Sequence, residues 1–161
     1  MMNETTKNTL MSSVYFELKG ENAKLPQKNN RTDVGYDLYA SEATALFPKS
    51  TVVVSTGVHM MVPFPGIFFK IEGRSGMAAK GIFPSGGIID NDYRGEIKVV
   101  LNNFTDSNYF IQPGDRIAQL VPYKVEYDLK LMNYDLLSKE QKEMNSNSSE
   151  RGESGFGSSG R

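Results

Sequence analysis

The sequence predicts an all-β domain. Short runs rich in β-branched and aromatic residues recur every 8 to 12 residues between Gly, Pro, Asn and Asp, the spacing of a sandwich, jelly roll or distorted barrel. Within Gly66–Glu72, Ile67, Phe69 and Ile71 share one face while Lys70 and Glu72 share the other, the period of two of a half-buried strand. Only Ser138–Met144 has helix-forming composition, and it is short.

In chain order, residues 1–13 are polar and read as a disordered extension. Val14–Lys19 is the first strand candidate. A polar loop, Gly20–Thr32, precedes DVGYDLYASE (33–42), a glycine turn entering a short aromatic strand. Ala43–Phe47, Thr51–Thr56, Val58–Val62 and Gly66–Glu72 follow, divided at Pro48-Lys49, Gly57 and Pro63–Gly66. GRSGMAAKG (73–81) breaks the pattern, with one helical turn expected over Ser75–Lys80. Ile82–Ile89, Tyr93–Asn103, Asn108–Ile111 and Arg116–Val125 supply further strands, and Pro113-Gly114 suits the centre of a type II turn. Residues 14–137 thus read as one domain, 138–150 as a linker and 151–161 as a flexible lid.

Composition narrows the function. The chain of 161 residues fits one domain, and a net charge of −1 offers no basic field for nucleic acid. With no cysteine, thiol nucleophiles, disulfides and cysteine-ligated metals are excluded; a single histidine, His59, excludes a histidine-rich zinc site within one chain and reads as structural or surface. The first thirteen residues fit neither a secretory signal nor a transit peptide. No apolar run nears the ~20 residues of a membrane span. A soluble protein of the cytoplasm or nucleus, with no nucleic-acid or membrane partner, is expected. Two stretches, Ile117–Val121 and Val99–Leu101, are apolar on both faces, which fits either a subunit interface, the reading favoured here, or a sandwich interior.

The chain is organised around GGIIDNDYRG (86–95), read as a hairpin with Asp90, Asn91 and Asp92 at its tip and Glu96–Leu101 as its return strand. Those carboxylates are either turn formers or a fixed acid at the mouth of a pocket walled by backbone groups. The C-terminal RGESGFGSSG (151–160) pairs an arginine and Gly/Ser turns, suited to phosphate oxygens, with a lone aromatic, Phe156, suited to stacking on a base.

DVGYDLYASE, GRSGMAAKG, GGIIDNDYRG, PGDRIAQL (113–120) and RGESGFGSSG stand together in an order and spacing that resembles the trimeric dUTPases, over nearly everything beyond the N-terminal extension. The resemblance implies a distorted jelly-roll (β-clip) subunit with one short helix, a homotrimer with active sites at subunit junctions, and Mg²⁺-dependent hydrolysis of dUTP to dUMP and pyrophosphate. That reaction limits uracil in DNA and supplies dUMP for dTMP synthesis. By the same resemblance Asp90 is the base toward the attacking water, and Tyr93 packs on the deoxyribose and excludes a 2′-hydroxyl. The main chain of Gly87, Ile88, Ile89 and Lys98 reads the uracil edge. Arg74, Ser75 and Gly76, from a second subunit, hold the α- and β-phosphates with Gln119. Asp37 contacts Mg²⁺ through water, the triphosphate supplying the direct ligands. Arg151, with Gly157, Ser158 and Ser159, reaches the γ-phosphate while Phe156 covers the base. Asp115 is either a partner of Arg74 or a turn residue. The thirteen residues 138–150 span up to roughly 43 Å when extended, enough to serve a neighbouring site.

Gly73 stands where the family commonly has proline, Val34 where alanine is usual, Ser154 where glycine is, and Ser159 where threonine is. None of these removes a chemical group. The related dCTP deaminases share the fold, but the hairpin and the full tail match the dUTPase form. A non-catalytic, nucleotide-binding trimer and a plain structural β-module are the remaining alternatives.

Overall fold

The computed structural model of the chain describes residues 13–147. They fall into two compact units, divided between Glu126 and Tyr127.

In the first unit, short strands follow the apolar runs. They are β1 (Tyr15–Leu18), β2 (Tyr36–Tyr39), β3 (Thr44–Leu46), β4 (Thr51–Val54), β5 (Val58–Met61), β6 (Ile67–Glu72), β7 (Ile82–Ser85), β8 (Ile88–Ile89), β9 (Val99–Asn103), β10 (Tyr109–Ile111) and β11 (Arg116–Lys124), with helix α1 (Ser75–Ala78) between β6 and β7. All pairings are antiparallel, in sheets ordered β2-β11-β6-β8, β4-β9-β7, β1-β5 and β3-β10. The period-two reading of β6 holds: Phe69 and Ile71 are buried, while Lys70 and Glu72 pair at 2.6 Å on the other face. The expected type II turn forms. The N–H of Asp115 donates to the Gln112 carbonyl at 3.0 Å, and Gly114 takes a φ of +88° that its lack of a Cβ permits.

Two expectations are corrected. First, β8 does not pair with a strand returning from the tip. It pairs with β6, while β7 pairs with β9. Gly86 and Gly87, at φ +67° and +95°, turn the chain out of one sheet and into another. Tyr93–Lys98 is consequently irregular apart from a bridge between Glu96 and His59. Second, β11 buries both faces within a single chain. Ile117, Ala118, Leu120 and Val121 are all buried, so other parts of the same chain cover both faces of β11, and a register shift between Arg116 and Ala118 re-aims its first residues. Two-faced burial here needs no second subunit. In β9, Val99 and Leu101 are buried and Val100 is partly exposed.

Leu38, Leu46, Ile82, Ile97, Leu101, Ile111, Ile117 and Leu120 form the centre of the core, each worth about 1.5–3 kcal/mol of burial. Among the described residues no buried side-chain polar atom lacks a partner.

The second unit holds a 3₁₀ turn, Tyr134–Leu136, and helix α2, Lys139–Asn147. Asn133 caps the turn by accepting from the Asp135 N–H at 3.0 Å. Ser138 and Gln141 exchange side-chain and backbone hydrogen bonds at the start of α2, a capping box. The reach of the 138–150 segment is therefore corrected. Lys139–Asn147 is helical, and at 1.5 Å per residue those nine residues span about 14 Å instead of the roughly 30 Å they would cover extended. No helix among the described residues is long and apolar enough to cross a membrane.

Candidate active site

The hairpin region forms a pocket of ≈ 250 Å³ lined by Ile88, Ile89, Tyr93, Glu96 and Lys98. Its floor is β8, held on β6 through the register Phe69↔Ile89 and through the Ile71 N–H, which donates to the Gly87 carbonyl at 2.8 Å. That carbonyl, one of the expected readers of a base edge, is thus already engaged. Asp90 follows directly on the floor and closes a turn in which its carbonyl accepts from the Tyr93 N–H at 3.1 Å. Its side chain is exposed, and no ion pair engages it among the described residues. Asn91 fixes the tip by donating to the carbonyls of Phe64 and Ile67 at 2.9 and 3.1 Å.

The far wall is held by Glu96. Its Oε1 accepts from the N–H groups of Thr56 and Gly57 at 3.0 and 2.8 Å, and its Oε2 lies 3.5 Å from the Lys98 ammonium. Partial burial opposes ionisation of this carboxyl, but the Gly57 N–H, the Lys98 charge and the Thr56 N–H outweigh it and hold Glu96 below its ordinary value. The Tyr93 hydroxyl donates to the Glu96 carbonyl at 3.0 Å. At Gly95 a Cβ would overlap the Tyr93 ring, so glycine is what lets the ring fold back onto its own loop.

A second cluster lies on the β2-β11-β6 sheet, where the register sets Asp37, Gln119 and Glu72 side by side. Asp37 is buried and accepts from Arg74 Nε at 3.0 Å and from Arg116 Nη1 at 3.3 Å. Arg74 Nη1 also donates to the Arg116 carbonyl at 3.1 Å, and Arg116 to Asn29 at 3.3 Å. Two guanidinium groups on one carboxylate leave an excess positive charge suited to an anion. Arg74 leads into α1, whose exposed Ser75 and Gly76 are anchored from below by buried Met77. Gln119 packs against Gly35, where a Cβ would come within 2.7 Å of its side-chain oxygen.

A mostly antiparallel β fold with these two clusters is matched by one family model, dUTPase, over residues 21–160. The chain belongs to the dUTPase family. It is an enzyme of that family, and its fold is the distorted jelly roll, or β-clip, expected from the sequence. It is 40% identical to the deoxyuridine 5'-triphosphate nucleotidohydrolase of Candida albicans over 96% of this chain and 91% of that protein. It is 38% identical to the one from Saccharomyces cerevisiae, over 89% and 92%. A solved structure of the Staphylococcus bacteriophage 80alpha dUTPase G164S mutant with dUpNHpp superposes with a TM-score of 0.77 at 28% identity, covering 92% of this chain and 99% of that one.

Within this dUTPase-family chain, Ile88, Ile89, Tyr93 and Lys98 come together in one pocket, and Gly87 and Asp90 flank its β8 residues in the chain without lining it. Arg74 and Asp37 join in the second cluster with Gln119 beside them, and none of the three lines that pocket. Of the two readings of Asp115, the turn residue stands: its Oδ2 accepts from the Gln112 N–H at 2.8 Å, and Arg74 is partnered by Asp37 instead. Arg151, Phe156, Gly157, Ser158 and Ser159 lie outside the described residues. Sequence reasoning missed Arg116 and Glu96. Arg116 stands inside the quoted PGDRIAQL segment, and Glu96 sits two residues from Lys98, the strand spacing that puts opposite charges on one face.

No cluster of three His, Asp or Glu side chains suited to a metal ion occurs among the described residues. What the described residues offer a cation is the Asp37 carboxylate, an oxygen donor of the kind a hard cation takes directly or through its waters. Asp37, with each oxygen already accepting one hydrogen bond, has remaining lone pairs to offer to such a water.

Proposed function

We propose that the chain hydrolyses dUTP to dUMP and pyrophosphate, with Asp90 as the base that takes a proton from the attacking water. The observation that carries this reading is the pocket of Ile88, Ile89, Tyr93, Glu96 and Lys98, with Asp90, an exposed residue, next in the chain after Ile89. A uracil base enters the pocket edge-on, and the Tyr93 ring packs against the deoxyribose. The water adds in line to the α-phosphorus as its bond to the bridging oxygen breaks. In-line displacement at phosphorus depends mainly on positioning and charge neutralisation. Arg74, with Ser75, Gly76 and Gln119, supplies the positive and polar contacts for the phosphates. Mg²⁺ bound to the triphosphate would neutralise further charge. Arg151, Ser158 and Ser159 complete the γ-phosphate contacts, with Phe156 over the base. The product serves dTMP synthesis, and removal of dUTP limits uracil in DNA.

A homotrimer is part of the proposal. The phosphate cluster and the base pocket have separate linings in one chain, as fits a site shared between subunits. Large apolar side chains in the second unit, Leu131, Met132 and Leu136, are 89%, 71% and 69% exposed, which favours association.

The test is pyrophosphate release with Mg²⁺ from dUTP, dCTP, dTTP and UTP offered separately, on the wild type and on Asp90→Asn. Turnover of dUTP alone, lost in the variant while nucleotide binding persists, is the expected result. Near-normal turnover by Asp90→Asn overturns the general-base role.

A further inference from the structure

We infer that Glu96 is a positioning residue whose carboxylate sets the sugar-discriminating wall of the pocket; this rests on the nucleotide reading above. Residues 93–98 have almost no sheet pairing of their own, yet they carry both Tyr93 and Lys98. What fixes them is the turn between β4 and β5. Glu96 Oε1 takes the N–H groups of Thr56 and Gly57 at 3.0 and 2.8 Å. The Thr56 hydroxyl donates to the Ile97 carbonyl at 2.6 Å, and the Ile97 N–H donates to the Val58 carbonyl at 2.8 Å. Ile97 itself is fully buried. Of the residues in these contacts, Glu96 is the one that also lines the pocket.

The consequence falls on Tyr93. Its ring is located by the hydroxyl's hydrogen bond to the Glu96 carbonyl at 3.0 Å and by the space that Gly95 leaves free. A ring held at one end against a fixed carbonyl has one position, and a group added to the sugar must clash with it. If the carboxylate anchor is removed, the carbonyl moves, the ring gains freedom, and an extra hydroxyl can be accommodated. Lys98, 3.5 Å from Oε2, is released by the same change. Glu96 therefore acts through Tyr93 and Lys98 without touching the reacting atoms.

The experiment is calorimetric binding of dUDP and UDP, which isolates discrimination from turnover, on the wild type, Glu96→Ala, Glu96→Gln and Tyr93→Phe. The expected result is a fall of about tenfold in the dUDP-over-UDP preference for Glu96→Ala, as for the loss of charge-assisted hydrogen bonds. Glu96→Gln keeps an acceptor for the turn and falls less, which keeps the test open should the alanine variant not fold. Tyr93→Phe lowers the preference too, and combining it with Glu96→Ala costs less than the two changes summed, because both act through one contact. An unchanged preference in Glu96→Ala and Glu96→Gln, or strict additivity with Tyr93→Phe, overturns the inference and leaves the nucleotide reading standing. A wild type that binds neither ligand overturns both.

Discussion

Replacing Asp37 with asparagine removes one negative charge from beneath two guanidinium groups and keeps the shape. The Arg74 contact, at 3.0 Å with an arginine side chain 22% exposed, is a charge-assisted hydrogen bond of about 1.5–3 kcal/mol. The Arg116 contact is longer, 3.3 Å, with a side chain 42% exposed, so it adds under about 1 kcal/mol. Asparagine retains one acceptor oxygen but turns an NH₂ toward the other donor. A loss of about 2 kcal/mol is expected, or roughly 4–8 °C in Tm for a chain of this size. It is read by circular dichroism at one protein concentration, since association makes Tm depend on concentration. KM for dUTP should rise about tenfold, because Arg74 is no longer aimed, with a smaller change in kcat. Unchanged Tm and KM would show that Asp37 does not organise the arginines. Unchanged Tm with a raised Mg²⁺ requirement would make it a partner of metal-bound water instead.

Three further outcomes are expected. Gly35→Ala places a Cβ 2.9 Å from the Cβ of Gln119, which the strand cannot move away, so chemical denaturation should show a loss of about 1–3 kcal/mol together with weaker substrate binding. Glu96 ionises more readily folded than unfolded, so its contribution is present above its ordinary value of 4.5 and fades as pH falls through the lower folded value. Lys98, 3.5 Å from its Oε2, is the charged group paired with it. Acid titration of stability should therefore be shallower below pH 4.5 in Glu96→Gln than in the wild type; identical profiles would remove Glu96 as the titrating group. Deleting residues 151–161 should abolish most dUTP hydrolysis while sedimentation still reports a trimer, and full activity in the truncated chain would refute the lid.

Much of the local structure could be read from the chain because its causes are local. The alternation of Ile67, Phe69 and Ile71 is a property of six residues, and Pro113-Gly114 determines its turn by two dihedral angles. Pairing partners are not local. Nothing in Ile88-Ile89 says that β6, and not the return strand, will receive it; two adjacent glycines permit the change of sheet without announcing its destination. The same gap explains the apolar faces of β11, which a subunit interface and a sandwich interior account for equally well until the covering elements are known. In the site, residue types were legible through a family pattern, but the partner of Arg74 was not. Asp37 and Asp115 are both acids near it in the pattern, and only the β2–β11 register sets Asp37 beside Gln119 and within reach of both arginines.

The place of β11 between β2 and β6 has a consequence for the protein's synthesis. It is the last strand of the first unit to be made, and it supplies the partner that both neighbours lack. Until Lys124 has left the ribosome, β2 and β6 present unpaired edges and Leu38, Phe69 and Ile71 have no complete core to enter. Contacts between segments so distant in sequence form slowly, and open strand edges pair readily with those of other chains. The nascent chain is thus most exposed to aggregation in the interval just before its final core strand emerges, and a premature stop there would leave β2 and β6 without the strand that joins them.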